Sequence, residues 1–111
     1  MIKVDKNKLK LYREKRIKLN HTYRYIIRLK NFQIKTRRLQ IYERENEQLK
    51  SLEKQVKKCI NDIENNFIQK IFYLRYIKLL SWENIAGAVG GNNSADTVRM
   101  IAKRYMEKGE N

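Results

Sequence analysis

The 111-residue chain has no proline and only four glycines, three of which (Gly87, Gly90 and Gly91) lie close together while Gly109 sits in the tail. Residues 1–86 therefore lack both of the residues that break helices most strongly. Long helices are expected there, and strands are not. A single cysteine, Cys59, excludes an intrachain disulfide. On an apolar helical stripe a lone cysteine packs as a small hydrophobe. The one histidine, His21, lies in a different segment and is expected at a helix junction. Two such residues are too few for a zinc site of the usual nitrogen and sulfur type. There is no phosphate-cradling loop and no nucleophile elbow, and Gly90-Gly91 is not followed by lysine. Neither an enzyme nor a bound cofactor or metal is expected. No apolar run approaches the ~20 residues of a membrane span. The N-terminus alternates lysine with apolar residues and lacks the continuous apolar core of a signal peptide. A cytoplasmic protein without membrane attachment is the expectation.

What the chain has in abundance is positive charge. There are 26 Lys/Arg against 12 Asp/Glu, a net +14. Residues 1–58 carry 19 basic against 6 acidic side chains, or +13, whereas residues 59–111 carry 7 against 6, or +1. A field this lopsided suits a polyanion, most simply nucleic acid. The plain alternative is a solvated lysine-rich surface.

The first half has helical periodicity. Leu9, Tyr12, Leu19, Tyr23, Ile26 and Ile27 recur at steps near three, four and seven. A break is expected either at Asn20-His21-Thr22, with Thr22 as a new cap, or at Asn31. A second stripe follows through Leu39, Tyr42, Leu49, Leu52, Val56, Cys59, Ile60 and Ile63. Leu49, Val56 and Ile63 repeat at seven, as in a short coiled-coil seam, and Asn46 interrupts it. Such a seam needs a partner. The N-terminal helix folding back and a second copy of the chain both satisfy it. The tyrosines interleaved with basic residues, Tyr12, Tyr23, Tyr25 and Tyr42, are expected in the helical interface. Asn65-Asn66 marks a boundary, giving a basic arm over 1–64 and a compact unit over 65–111.

The second unit reads as three helices. The first runs from about Asn66 to Leu79, with Phe67, Ile71 and Leu74 on its inner face, joined by Ile68 and Phe72. Ser81 is suited to cap the second, whose inner face is Trp82, Ile85, Ala86 and Val89. Gly90 supplies the turn. Ser94 or Asn93 caps the third helix, and Asn93 with Asp96 approximates a capping box. Val98, Ile101, Ala102 and Tyr105 point inward there. Asp96, Thr97, Arg99, Met100, Lys103 and Arg104 point outward. This order of elements is that of a helix-turn-helix reader of double-stranded DNA. Arg99 has the fork that reads guanine, Thr97 can meet base edges, and Lys103 and Arg104 lie nearer phosphates.

Leu74-Arg75-Tyr76-Ile77, Ser81-Trp82-Glu83 with Ile85-Ala86, and Thr97-Val98-Arg99 together resemble region 4 of bacterial sigma factors. They resemble still more the sigma-region-4-like phage regulators of Gram-positive bacteria, the late-gene and autolysin-regulatory activators. The resemblance covers about the last 45 residues, by position in the sequence. It implies that the third helix reads promoter DNA through Thr97, Arg99, Met100, Lys103 and Arg104, and that the domain also touches RNA polymerase. Val98 lies eight positions after Gly90, a longer turn than the compact motif has, so Asn92 or Asn93 joins the candidate DNA contacts, beside Ser94 and Asp96 at the start of the third helix. The expected protein is an all-α, sequence-specific transcriptional regulator of phage or mobile-element type, an activator in that family. Two alternatives stand beside it. One is a small terminase-like or architectural DNA binder that forms a homo-oligomer through the arm. The other is a module that grips RNA polymerase.

Overall fold

The structure, a computed structural model, describes the backbone of residues 6–31 and 37–109 and the side chains of residues 6–22 and 37–108. The fold is all-α. Five helices follow in order: α1 (Lys6–Asn31), α2 (Arg37–Asn61), α3 (Asn66–Tyr76), α4 (Trp82–Val89) and α5 (Ala95–Gly109). No strand occurs among the described residues. Nor is any described helix long and apolar enough to cross a membrane.

α1 and α2 pack along one another. Lys8 donates to Gln55 at 2.8 Å near one end, and Arg16 donates to Asn46 at 3.0 Å nearer the other, so the two helices run antiparallel. Leu9, Tyr12 and Leu19 on α1 and Leu49, Val56 and Ile60 on α2 are buried between the layers. The polar interruption at Asn46 has a physical role. Arg16, mostly buried in this seam, meets the Asn46 amide oxygen and lies 3.8 Å from the Glu53 carboxylate. A slipped pairing would bury the guanidinium without these acceptors, at a cost far above that of an exposed charge.

The expected break at Asn20–Thr22 is absent. α1 runs unbroken through it, and the Thr22 hydroxyl donates back to the Leu19 carbonyl at 2.8 Å instead of capping a new helix. Thr and Asn are weak helix formers, but without proline or glycine their local preference yields to continuing backbone hydrogen bonds. His21 is accordingly an exposed residue inside a helix and not at a junction. The other candidate, Asn31, is where α1 ends. The side chains of Tyr23, Tyr25, Ile26 and Ile27 lie outside the described residues. Tyr12 is buried in the interface and Tyr42 packs half-buried against it.

Asn65 caps α3, its side-chain oxygen accepting from the backbone N–H groups of Phe67 and Ile68 at 3.0 and 3.1 Å. α3 ends at Tyr76, three residues before the expected Leu79. Leu79 itself adopts φ +63°, the left-handed conformation that closes a helix, and the Leu80 N–H reaches back to the Leu74 carbonyl at 3.0 Å. Leucine there costs on the order of 1 kcal/mol relative to glycine, so no composition signal announces this stop. Phe67, expected inside, is 39% exposed, while Tyr76 is buried beside Ile71 and Phe72. α3 packs against each of the other four helices. The arm and the C-terminal helices therefore share one core, which runs from Leu9 and Tyr12 through Phe72 to Val98 and Ala102.

Candidate nucleic-acid interface

α4 is short because its ends are fixed locally. The Ser81 hydroxyl accepts from the Asn84 N–H at 3.2 Å at one end, and Gly90 closes the other. Gly90 takes φ 72° and ψ −164°, a region that a side chain essentially forbids. Gly91 follows at φ 69°. The longer turn is then tied back on itself. Asn93 donates its side-chain amide to the Gly90 carbonyl at 2.9 Å.

Ser94, not Asn93, caps α5. Its hydroxyl accepts from the Thr97 N–H at 3.1 Å and lies 2.9 Å from the Thr97 hydroxyl. The capping box expected from Asn93 and Asp96 does not form. The Asp96 carboxylate turns instead to Arg99, 3.5 Å away. Both are open, with side chains 88% and 49% exposed, so the pair holds Arg99 only loosely.

α5 packs on α4 and α3. Val98 and Ala102 are buried against the core that holds Ile85 and Ala86, and Tyr105 meets Phe72 edge-on at 5.5 Å. That docking leaves Asp96, Thr97, Arg99, Lys103 and Arg104 exposed on the outer side of α5, with Ser94 exposed just before it. Met100 is half-buried among them. The residues expected to meet a ligand thus share one side of one helix, except Asn92, which is exposed in the turn, Asn93, whose amide is engaged there, and Ser94, whose hydroxyl caps the helix. Chemically this surface offers a planar bidentate donor, two further cations, one carboxylate and a hydroxyl.

Sequence reasoning missed a second group. Arg13 of α1 reaches the end of α3, its Nε donating to the Arg75 carbonyl at 3.2 Å and its Nη2 lying 3.5 and 3.4 Å from the Leu79 and Leu80 carbonyls. Arg75 Nη1 donates to the same Leu80 carbonyl at 3.1 Å, and the Arg75 guanidinium stacks 4.3 Å from the centre of the Trp82 ring. Cations suit the carbonyl end of a helix, and a stacked guanidinium gains further from the aromatic face. Burial first, then the Arg13 charge, pull the Arg75 guanidinium below its ordinary affinity for a proton. The only advance signal was the spacing of Lys6, Lys10 and Arg13, which puts three cations on one side of α1.

No cluster of His, Cys, Asp and Glu able to hold a metal exists among the described residues. Comparison with protein families, with curated proteins and with solved structures found no match.

Proposed function

We propose that this protein binds double-stranded DNA with sequence preference and regulates transcription, as a cytoplasmic activator of phage or mobile-element type. The outer side of α5 carries this reading. Arg99, Thr97, Lys103 and Arg104 are open to solvent while Val98 and Ala102 anchor the helix. The succession of a short α4, a glycine turn and a docked α5 supports a helix-turn-helix in which α5 enters the major groove. Arg99 then reads guanine through its two parallel N–H donors, Thr97 meets a neighbouring base edge, and Lys103 and Arg104 hold phosphates. Asn93 and Ser94 support the turn rather than the reading. The basic arm adds salt-sensitive affinity that does not depend on sequence.

The test is a gel-shift titration of Arg99→Ala against the preferred duplex and a scrambled one. Loss of ~1–3 kcal/mol on the preferred site, with little change on the scrambled one, is the expected outcome. Equal affinity and equal preference in the variant would remove Arg99 from the recognition role.

A second reading has its own observation. Phe67 and Tyr73 stand 39% and 41% exposed on α3, with Lys78 lying 5.7 Å from the centre of the Tyr73 ring. Exposed aromatics suit a protein partner, and RNA polymerase is the candidate. Retention of polymerase by the wild type but not by Phe67→Ala/Tyr73→Ala, without any shift of duplex DNA, would favour this reading over the first.

A further inference from the structure

The arm contributes a defined surface as well as bulk charge. Lys6, Lys10 and Arg13 lie on one side of α1 and form one wall of a cleft. Arg75 and Tyr76 at the end of α3 and Met106 on α5 lie across from it, Asn7 also lines the cleft, and Glu14 is the one carboxylate in the lining. Four cations therefore face one acid across an open cleft. Arg13 and Arg75 bond to main-chain carbonyls, which accept hydrogen bonds without cancelling charge. Among the described residues neither has a carboxylate within ion-pair distance, and nor do Lys6 and Lys10. Burial lowers the proton affinity of Arg75 most, and the neighbouring Arg13 charge lowers it further. An anion placed here relieves repulsion that the fold otherwise sustains.

The position of the cleft indicates which anion. On α5, Arg99, Lys103 and Met106 follow at steps of four and three, so they share one edge of the helix. That edge begins at the proposed base-reading residue and ends in the cleft. Arg99 and Met106 are seven residues apart, about 10 Å along the helix axis at 1.5 Å per residue. A strand running past Arg99 and Lys103 would next meet Lys6 and Lys10.

We propose that this cleft holds a backbone phosphate of the same duplex that α5 reads, so that the arm clamps the strand flanking the recognised bases. The proposal rests on the reading of α5 as a DNA-contacting helix, and its test separates the two. Lys6 and Lys10 are exposed, so Lys6→Gln/Lys10→Gln keeps the fold. Lys54→Gln/Lys58→Gln, on exposed positions of α2, removes the same charge elsewhere. Binding of the full chain to its preferred duplex is measured over a range of salt.

The expected result for the cleft variant is a salt slope shallower by about 1 for each phosphate no longer neutralised. Preference over a scrambled duplex stays unchanged, and the α2 variant changes the slope less. Equal flattening by both variants would overturn the proposal, since bulk charge would then explain the effect. So would an unchanged slope in a cleft variant that still prefers its site, which leaves the role of α5 standing. Inorganic pyrophosphate, titrated against the free protein, tests for a small free anion as the occupant. Tight binding that depends on Lys6 and Lys10, together with an unchanged DNA slope, would also overturn it. A wild type that binds no duplex at all would overturn the reading of α5, and this proposal with it.

Discussion

Asp96 and Arg99 show how much a single side chain can carry. Their exposed pair contributes little to stability, yet the carboxylate stands on the side of α5 that is proposed to meet DNA. Asp96→Asn is expected to leave the unfolding free energy within about 1 kcal/mol of wild type, since only an exposed pair and a first-turn acid are removed. Affinity for arbitrary duplex should rise, which fluorescence anisotropy on a scrambled sequence measures. Weaker binding to every sequence would instead make Asp96 a contact in its own right. The tyrosines set a pH limit. Burial pushes the Tyr76 phenol above its usual value of 10.0, against the opposing charges of Arg75 and Arg13. Burial likewise raises Tyr12, with a hydrogen bond from Arg16 acting the other way. A phenol whose folded pKa is raised contributes stability that is fully present below its unfolded pKa and is lost as pH climbs through the folded value. Chemical denaturation should therefore show a tyrosine-dependent loss that begins near pH 10.0 and continues above it. Tyr76→Phe should flatten that loss. An alkaline profile identical to wild type would contradict the assignment. The cap at Ser81 was legible in the sequence because a cap bonds within three residues of itself, whereas Asn65 was read only as a boundary and proves to be a cap as well. Arg13 was not legible, because its acceptor lies 62 positions away.

At the scale of elements, the turn between α4 and α5 determines how α5 is presented. Gly90 sits where φ and ψ admit essentially glycine alone. Nothing lies within 4 Å of where a Cβ would stand, so the penalty for a side chain is conformational rather than steric. Gly90→Ala is expected to cost on the order of 1–3 kcal/mol in urea denaturation. Ser94→Ala should cost about 1 kcal/mol by releasing the Thr97 N–H. A Gly90→Ala protein as stable as wild type would mean that the turn relaxes into another conformation. The helices themselves were readable from apolar spacing, and so was their order. Two boundaries were not. α1 passes through Asn20-His21-Thr22 because weak helix formers delay a helix without stopping one when no proline or glycine interrupts its backbone hydrogen bonds. α3 stops before Leu79 because Arg13 gathers the carbonyls of Arg75, Leu79 and Leu80. That is a tertiary cause with no local sequence signature.

At the scale of the molecule, the arm and the C-terminal helices are held together by α3 and one core. Phe72, fully buried between Tyr76 and Tyr105, sits at that junction. Phe72→Ala should cost about 3–5 kcal/mol, a large part of the stability of a chain this size. It should lower both halves in one transition, followed together by helical circular dichroism and by Trp82 fluorescence. Separate transitions would mean that the halves fold independently. The shared core also determines how the arm can be tested. Removing residues 1–38 would strip Leu9, Tyr12 and Leu19 from the core as well as removing charge, so substitutions at exposed lysines are the informative change. Charge asymmetry along the chain was legible from composition. The meeting of Lys6, Lys10 and Arg13 with Arg75 was not, because only the folded path of α1 past α3 brings them to one cleft.

Selection of bound sites from random duplex DNA, performed with wild type and with Arg99→Ala, tests the reading of α5 most directly. A short enriched motif containing a guanine whose identity is relaxed in the variant is the expected result. Recovery of unenriched sequences by the wild type, or the same motif at the same strength from both proteins, would contradict it.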